Sequence, residues 1–239
     1  MAYFHRDFSS PDSMLEIANN RRSTAVFVHL FGFNETIGTG FEHIGNGFNA
    51  PYAWPGSALT MSVVSSSASD TGQVLISGLD ANYESIFDVV TLNGTTPVTT
   101  TNQFFRINQA YTLGAPPAGN ISITNASVTY AYIAAGLGTD QSVHYTVPAG
   151  KNLVIHQVNF TSGTVNPNKY LVSRACTVTS TGTEHHFWQS TFQQDIAFNL
   201  HVPFVVREKT DFSIEARSSS GENELAVYLG AVLIEDGRG

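Results

Sequence analysis

Short runs of apolar or alternating residues, separated by turn residues, fill the chain from residue 24 onward. Residues 59–64 (Leu-Thr-Met-Ser-Val-Val) alternate with the period of two that places every second side chain on one face of a strand. Further runs lie at residues 26–31, 74–77, 89–92, 95–98, 104–107, 121–124, 128–133, 143–147, 153–158, 170–178, 185–192, 198–206, 212–216 and 225–234. The pattern predicts a protein built almost wholly of β-strands.

Two segments between these runs carry strong turn signals. Asn93-Gly94 separates two β-rich runs, and this dipeptide favours a hairpin because both residues accept a positive φ. Residues 148–151 (Pro-Ala-Gly-Lys) separate two more runs; proline presets φ and glycine supplies the permissive position. Turn signals that recur about every 8 to 12 residues are typical of β-sandwiches and jelly rolls.

The chain is long enough for two small domains. Residues 136–139 (Gly-Leu-Gly-Thr) form a plausible hinge near its middle. We predict an N-terminal arm at residues 1–24, a β-sandwich or jelly-roll-like domain at residues 25–136 and a second at residues 137–239. One helix is expected within the arm, at residues 10–19, where Ser10 can cap, Pro11 fits the first turn and Asn19 can end the helix.

Charged residues make up only 13% of the chain, about half the usual share of 25%. Interfaces are depleted in charge at their cores, so this composition favours a protein whose faces are covered by partners. The formal net charge is −8, and Arg21-Arg22 is the only adjacent basic pair, which argues against a phosphate-binding surface for nucleic acid. No apolar run is long enough to cross a membrane, and residues 1–7 lack the apolar core of a secretory signal, so synthesis in the cytoplasm is expected.

The densest group of possible metal ligands is Glu184-His185-His186. On a regular strand the two histidines point to opposite faces, so without a bulge they cannot bind one ion. No cysteine or carboxylate partner is evident from the sequence, and we therefore predict no metal site and no cofactor. The single cysteine, Cys176, is expected to be a buried small apolar side chain.

The sequence offers no constellation of nucleophile, base and orienting group, and we predict no catalytic residue and no enzyme. Asp80, Glu84 and Asp88 have helical spacing, but their glycine and β-branched neighbours favour loop and strand over a glycosidase acid pair. Tyr52, Trp54 and Trp188 are candidates for contact with a partner or a glycan. Packing in a core or interface is the alternative for these aromatic side chains.

Several motifs occur in a fixed order: residues 78–81 (Gly-Leu-Asp-Ala), 92–96 (Leu-Asn-Gly-Thr-Thr) and 145–151 (Tyr-Thr-Val-Pro-Ala-Gly-Lys). Over residues 26–155 the chain resembles a family of β-rich virion structural proteins of marine and freshwater tailed phages, including cyanophages. It departs from that family in a shorter segment between residues 71 and 78 and in the Pro-rich loop at residues 115–119.

The resemblance implies a place in the virion, with synthesis in the host cytoplasm. Low charge, abundant β structure, a polar N-terminal arm and the lack of a visible fibre repeat favour a capsid decoration, or cement, protein that bridges major capsid subunits and forms a homo-oligomer, preferably a trimer. The alternative is a tail protein, either an adaptor or a receptor-binding protein that recognises host glycans. The expected partners are other virion proteins, with no nucleic acid and no membrane.

Overall fold

The computed structural model describes residues 11–19, 21, 24–163 and 168–236. In this part of the chain one helix, α1 (Pro11–Ala18), precedes sixteen strands. The strands are β1 (Ala25–Ile37), β2 (Glu42–His43), β3 (Ser62–Ser65), β4 (Gln73–Leu79), β5 (Ser85–Thr91), β6 (Val98–Thr99), β7 (Arg106–Leu113), β8 (Ile121–Asn125), β9 (Val128–Ile133), β10 (His144–Thr146), β11 (Lys151–Ser162), β12 (Leu171–Val178), β13 (Glu184–Phe192), β14 (Ile196–Val206), β15 (Asp211–Ser218) and β16 (Asn223–Glu235). The prediction of an all-β protein is confirmed.

The helix forms where the sequence predicted it, but most of the predicted arm, residues 1–10, 20, 22 and 23, lies outside the described residues. Asn19 closes α1, since its backbone N–H and its side-chain amide both donate to the carbonyl of Leu15. Ile17 is buried against Ala25 and Val232, so the helix packs on the outer face of a sheet. This helix is too short to span a membrane, and no other helix occurs among the described residues.

Nine strands, from the two ends of the chain, form what we call the terminal module: β1, β2 and β10 to β16. One sheet has the order β1-β16-β11-β14, and the other has the order β10-β15-β12-β13 with β2 paired to β15. Apolar side chains from both sheets form one core, including Phe160 and Leu229 from the first sheet and Phe212 and Ile214 from the second. The terminal module is therefore two antiparallel sheets packed on a shared core.

The seven strands β3 to β9 form what we call the inserted module. Its sheets have the orders β6-β3-β8-β9 and β5-β4-β7. They share a second core, which includes Met61, Ile76, Phe104 and Ile123. Each module thus buries apolar side chains of its own.

Strand β1 belongs to the terminal module, although the predicted division at residues 136/137 groups it with the strands of the inserted module. That division put residues 25–37 in the first domain, whereas β1 pairs along its length with β16 and contributes Leu30 and Ile37 to the core of the terminal module. The pairing joins residues about 200 apart, which no local pattern can indicate. The predicted boundaries themselves stay a prediction, and so does the jelly-roll character of each domain.

The Asn93-Gly94 turn forms, but its flanking strands do not make a hairpin. Asn93 forms a bridge with Thr96, and Gly94 has a φ of +56°. The strand before the turn, β5, pairs with β4, and the strand after it, β6, pairs with β3 in the other sheet. The turn therefore carries the chain from one sheet of the inserted module to the other.

Candidate functional site

A buried ion pair joins the two modules. Arg106, at the start of β7, faces Asp211, at the start of β15, and the two contacts are 2.7 Å (Nε to Oδ1) and 2.8 Å (Nη2 to Oδ2). Both side chains are almost fully buried. Thr146 in β10 donates a further hydrogen bond to Oδ1 of Asp211 at 2.7 Å. This bidentate geometry is the strong form of an arginine–carboxylate contact.

The remaining surface of the Arg106 guanidinium is also occupied by protein. Its Nη1 donates to the carbonyl oxygens of Pro55 and Phe105, each at 2.8 Å. The guanidinium carbon lies 3.9 Å from the centre of the Phe105 ring and 5.6 Å from that of Trp54. Because its donors and its face are used internally, this arginine holds the modules together and is closed to an external anion.

A chain of buried polar side chains lies beside the ion pair. His144 Nε2 donates to the carbonyl of Ile107 at 3.0 Å, so Nδ1 is the acceptor in the neutral ring. His144 Nδ1 is 3.1 Å from the hydroxyl of Ser142 and 3.2 Å from Nε2 of His43. Ser142 in turn donates to Oδ2 of Asp140 at 2.9 Å. No solvent-accessible nucleophile is present in this group, which links the modules through hydrogen bonds.

Burial shifts the pKa of each ionisable side chain in this hydrogen-bonded group. It lowers the pKa of His144 to about 3 and holds the pKa of His43 well below its usual range, with the neighbouring His144 acting in the same direction. Burial also raises the pKa of Asp140 to about 7, against the opposing hydrogen bonds from Ser142 and from the backbone of Tyr132. Desolvation disfavours the charged form in all three cases.

These displacements predict that acid destabilises the fold. Below about pH 6.5 both histidines become protonated in the unfolded chain but stay neutral in the folded protein. Asp140 has the opposite effect, because between about pH 7 and pH 4 it is protonated in the folded protein and ionised in the unfolded chain. The net uptake of one proton on unfolding should cost about 1 kcal/mol of stability per pH unit over that window. Urea unfolding at several pH values measures the slope.

The variant Asp140→Asn separates the two contributions to that slope. Without the opposing carboxyl, stability should fall about twice as steeply with decreasing pH, since both histidine protons then go uncompensated. An unchanged slope in Asp140→Asn would contradict the assignment. The exposed variant His185→Ala is the matched control, and it should leave the slope as in the parent protein.

The last strands of the two sheets of the terminal module, β13 and β14, lie side by side. We call this pair of strands the open edge. The ring centres of Phe187 in β13 and Phe204 in β14 are 5.0 Å apart, and those of Trp188 and Phe198 are 5.1 Å apart. The core of the module therefore reaches the surface between these two strands.

The open edge is apolar and almost free of charge. Strand β14 (IAFNLHVPFVV) has no aspartate, glutamate, lysine or arginine, and β13 has only Glu184, its first residue. Val202 is 84% exposed, and Phe187, Phe204 and Val205 are exposed as well. Exposed apolar edge strands promote pairing with other chains, and proteins usually protect them with charge. This edge has the composition of an interface.

A four-residue irregularity in strand pairing interrupts β14 and shapes the open edge. Ile155 pairs with Phe204 and Gln157 pairs with Asn199, so residues 200–203 of β14 lie opposite His156 alone. Val202 lies within this irregular segment and is highly exposed, and Pro203 has no N–H to offer another strand. The edge is therefore suited to contact through side chains rather than to continuous strand pairing.

The aromatic residues predicted to contact a partner or a glycan do not lie together. Tyr52 is buried; its hydroxyl donates to the carbonyl of Tyr130 at 2.9 Å, and its ring stacks on His144 with 4.1 Å between centres. Trp54 is half-buried against Tyr52, which packs in the core of the inserted module. Trp188 stacks on Phe160, and both lie in the terminal module. Tyr52 has no free face for a sugar, whereas contacts by Trp54 and Trp188 stay a prediction.

Two of the acidic residues considered for glycoside cleavage, Asp80 and Asp88, accept hydrogen bonds from backbone N–H groups. Asp80 Oδ1 accepts a hydrogen bond from the backbone N–H of Glu84 at 2.9 Å. Asp88 Oδ2 accepts from the backbone N–H groups of Thr101 and Asn102 at 2.6 and 3.0 Å. Asp80 forms a local turn in this way, whereas Asp88 fixes a loop that is distant along the chain.

No protein-family model and no curated protein matches the chain. Among solved structures, the chain is similar to that of infectious bursal disease virus Gx strain, with 13% identity and a TM-score of 0.27 over 90% of this chain and 74% of the other. The Gt strain of that virus gives 13% identity and 0.22 over the same shares. The VP2 subviral particle of infectious bursal disease virus gives 12% and 0.21, over 89% and 76%. TM-scores this low do not establish a common fold.

Proposed function

We propose that the chain is a structural protein of a tailed-phage particle, where it serves as a capsid decoration protein that bridges major capsid subunits. The observation that carries the proposal is the uncharged, apolar open edge of the terminal module. Such an edge promotes aggregation when it is exposed to solvent, but it stabilises an assembly when a neighbouring subunit covers it. The sequence resemblance over residues 26–155 supplies the virion context.

The strand order of the terminal module supports a shell or surface role. When its eight longer pairing strands, β1 and β10 to β16, are numbered one to eight along the chain, the sheets have the orders 1-8-3-6 and 2-7-4-5. We interpret this order as that of a jelly roll, a fold found in viral capsid and lectin domains and in cupins. Because one fold serves several functions, the strand order supports the proposal only together with the open edge.

The proposed assembly is a homotrimer in which the open edge of each copy packs against a neighbour. Phe187, Phe204 and Val205 supply the aromatic and β-branched side chains that are typical of interface cores. The low charge of β13 and β14 means that little desolvation of fixed charge opposes the contact. The proposal assigns the chain no catalytic step.

The number of copies per particle tests the proposal directly. Quantitative mass spectrometry of purified particles, with the major capsid protein as internal standard, should find hundreds of copies of this chain. Labelled recombinant chain should also bind to particle heads in electron micrographs. A handful of copies, located on the tail, would favour the adaptor or receptor-binding role instead. Turnover of a polysaccharide by the purified chain would overturn the non-catalytic assignment.

A further inference from the structure

A bulge in β13 brings His186 next to the buried cysteine. Ala175 pairs with Trp188, and both face the core, whereas the next pair is Cys176 with His186. Phe187 is the extra residue. Regular alternation would place His186 on the same face as Trp188, but the bulge moves it to the opposite face, beside Cys176. Cys176 itself is buried, as predicted.

Glu184 completes a group of three side chains that can bind a metal. It lies two residues before His186 and therefore on the same face of β13, and its Oε1 is 2.7 Å from His186 Nε2. The sulfur of Cys176, a carboxylate oxygen of Glu184 and a ring nitrogen of His186 all lie within 4.8 Å of one another. The sequence analysis predicted no metal site because it assumed regular alternation and saw no cysteine nearby.

The surroundings of the group suit a bound cation with open coordination positions. Cys176 is buried, while Glu184 and His186 are exposed and leave room for water. The nearest fixed cation, Arg174, is engaged by Glu215, with 2.6 Å between Nη2 and Oε2. The Glu215 carboxylate thus balances part of its charge, and the hydrogen bond that Arg174 makes to the Cys176 sulfur would be replaced by the metal.

We propose that Cys176, Glu184 and His186 bind one divalent transition-metal ion of the Zn²⁺ type, with water in the remaining position. A thiolate, an imidazole and a carboxylate form a mixed set that Zn²⁺ accepts in tetrahedral geometry. Ca²⁺ and Mg²⁺ prefer oxygen ligands alone, which argues against them here. Three protein ligands and an open position resemble an accessible site more than a closed structural one.

Metal binding at this site displaces the thiol proton of Cys176. Only the thiolate is a good ligand, so the proton passes to solvent as the sulfur–metal bond forms.

The site would also fix part of the open edge. Phe187 is the bulged residue between the metal ligand His186 and the core residue Trp188, and it contributes to the open edge through its contact with Phe204. A metal that holds His186 against Cys176 stabilises the bulge. This consequence depends on the proposed assembly, whereas metal binding itself does not.

Cobalt titration of the reduced full chain tests the site. Co²⁺ should bind with one equivalent per chain and produce the near-ultraviolet charge-transfer absorption of a thiolate–cobalt bond. The exposed-site variants Glu184→Gln and His186→Ala should weaken binding by at least about tenfold, and Cys176→Ser should abolish the charge-transfer absorption. Zn²⁺ should displace Co²⁺ and erase the spectrum.

His185→Ala is the matched control, because His185 is the adjacent histidine on the other face of β13 and pairs with Thr177. This variant should retain the full cobalt spectrum and affinity. Absence of the charge-transfer absorption in the parent chain, or equal loss of affinity in the two histidine variants, would overturn the proposal. Both outcomes are independent of particle copy number, so failure here is distinguishable from failure of the proposed virion role.

Discussion

Replacing Asp211 with asparagine is expected to lower the free energy of unfolding by about 3–5 kcal/mol. The substitution leaves the buried Arg106 guanidinium without its bidentate carboxylate, and no other described acid contacts that side chain. An uncompensated buried charge costs more than the net worth of the pair. Since total stabilities of about 5–15 kcal/mol are usual, this single change should remove a large share. Guanidinium or urea unfolding gives the measurement.

Two further variants show whether the loss arises from the ion pair. Arg207→Ala removes an exposed arginine, and it should change stability by less than about 0.5 kcal/mol. The double variant Arg106→Met with Asp211→Leu removes both charges and should be clearly more stable than either single variant, because no charge is then left unpaired. Additive losses in the double variant would contradict a coupled ion pair.

A charge placed on the open edge is expected to disrupt self-association without disturbing the fold. Val202→Asp adds a carboxylate to the most exposed apolar side chain of β14. In the proposed trimer that carboxylate would be desolvated in every interface without a partner, and an unpaired buried charge costs several kcal/mol. We expect association to weaken by at least about 100-fold, which corresponds to about 3 kcal/mol. Sedimentation velocity over a concentration series measures it.

Val89→Asp is the matched control for this prediction. Val89 is an exposed valine on β5, an edge strand of the inserted module that already carries Asp88. This variant should associate as the parent chain does, and both variants should keep their stability within about 0.5 kcal/mol. A parent chain that stays monomeric at all concentrations, or a Val202→Asp variant that assembles normally, would remove the open edge from the proposed interface.

The strands could be predicted from the sequence because each depends on local alternation. Residues 74–77 lie within β4 and residues 153–158 lie within β11, for example. Pairing could not be predicted in the same way. The predicted turn at Asn93-Gly94 forms, but the strands on either side of it do not pair with each other. The strand before the turn pairs with β4, and the strand after it pairs with β3. Which strand pairs with which depends on contacts that are distant along the chain.

The sequence could indicate only part of each candidate site. Asp140, Ser142 and His144 alternate at period two, which places three polar side chains on one side of an extended segment and could have indicated the buried chain of hydrogen bonds. The fourth member, His43, lies about a hundred residues away. The pairing of Cys176 with His186 depends on the bulge at Phe187, and nothing in the local sequence specifies that extra residue.

The polypeptide crosses between the modules twice, after β2 and before β10, and a bridge between Gly45 and Ser142 holds the two crossings side by side. A lobe attached by a single strand can swivel about it. Two adjacent attachments, reinforced by the clamp between Arg106 and Asp211, remove that torsional freedom. In an array of identical subunits, every inserted module would therefore project at the same angle, and the display would be ordered without help from a neighbour.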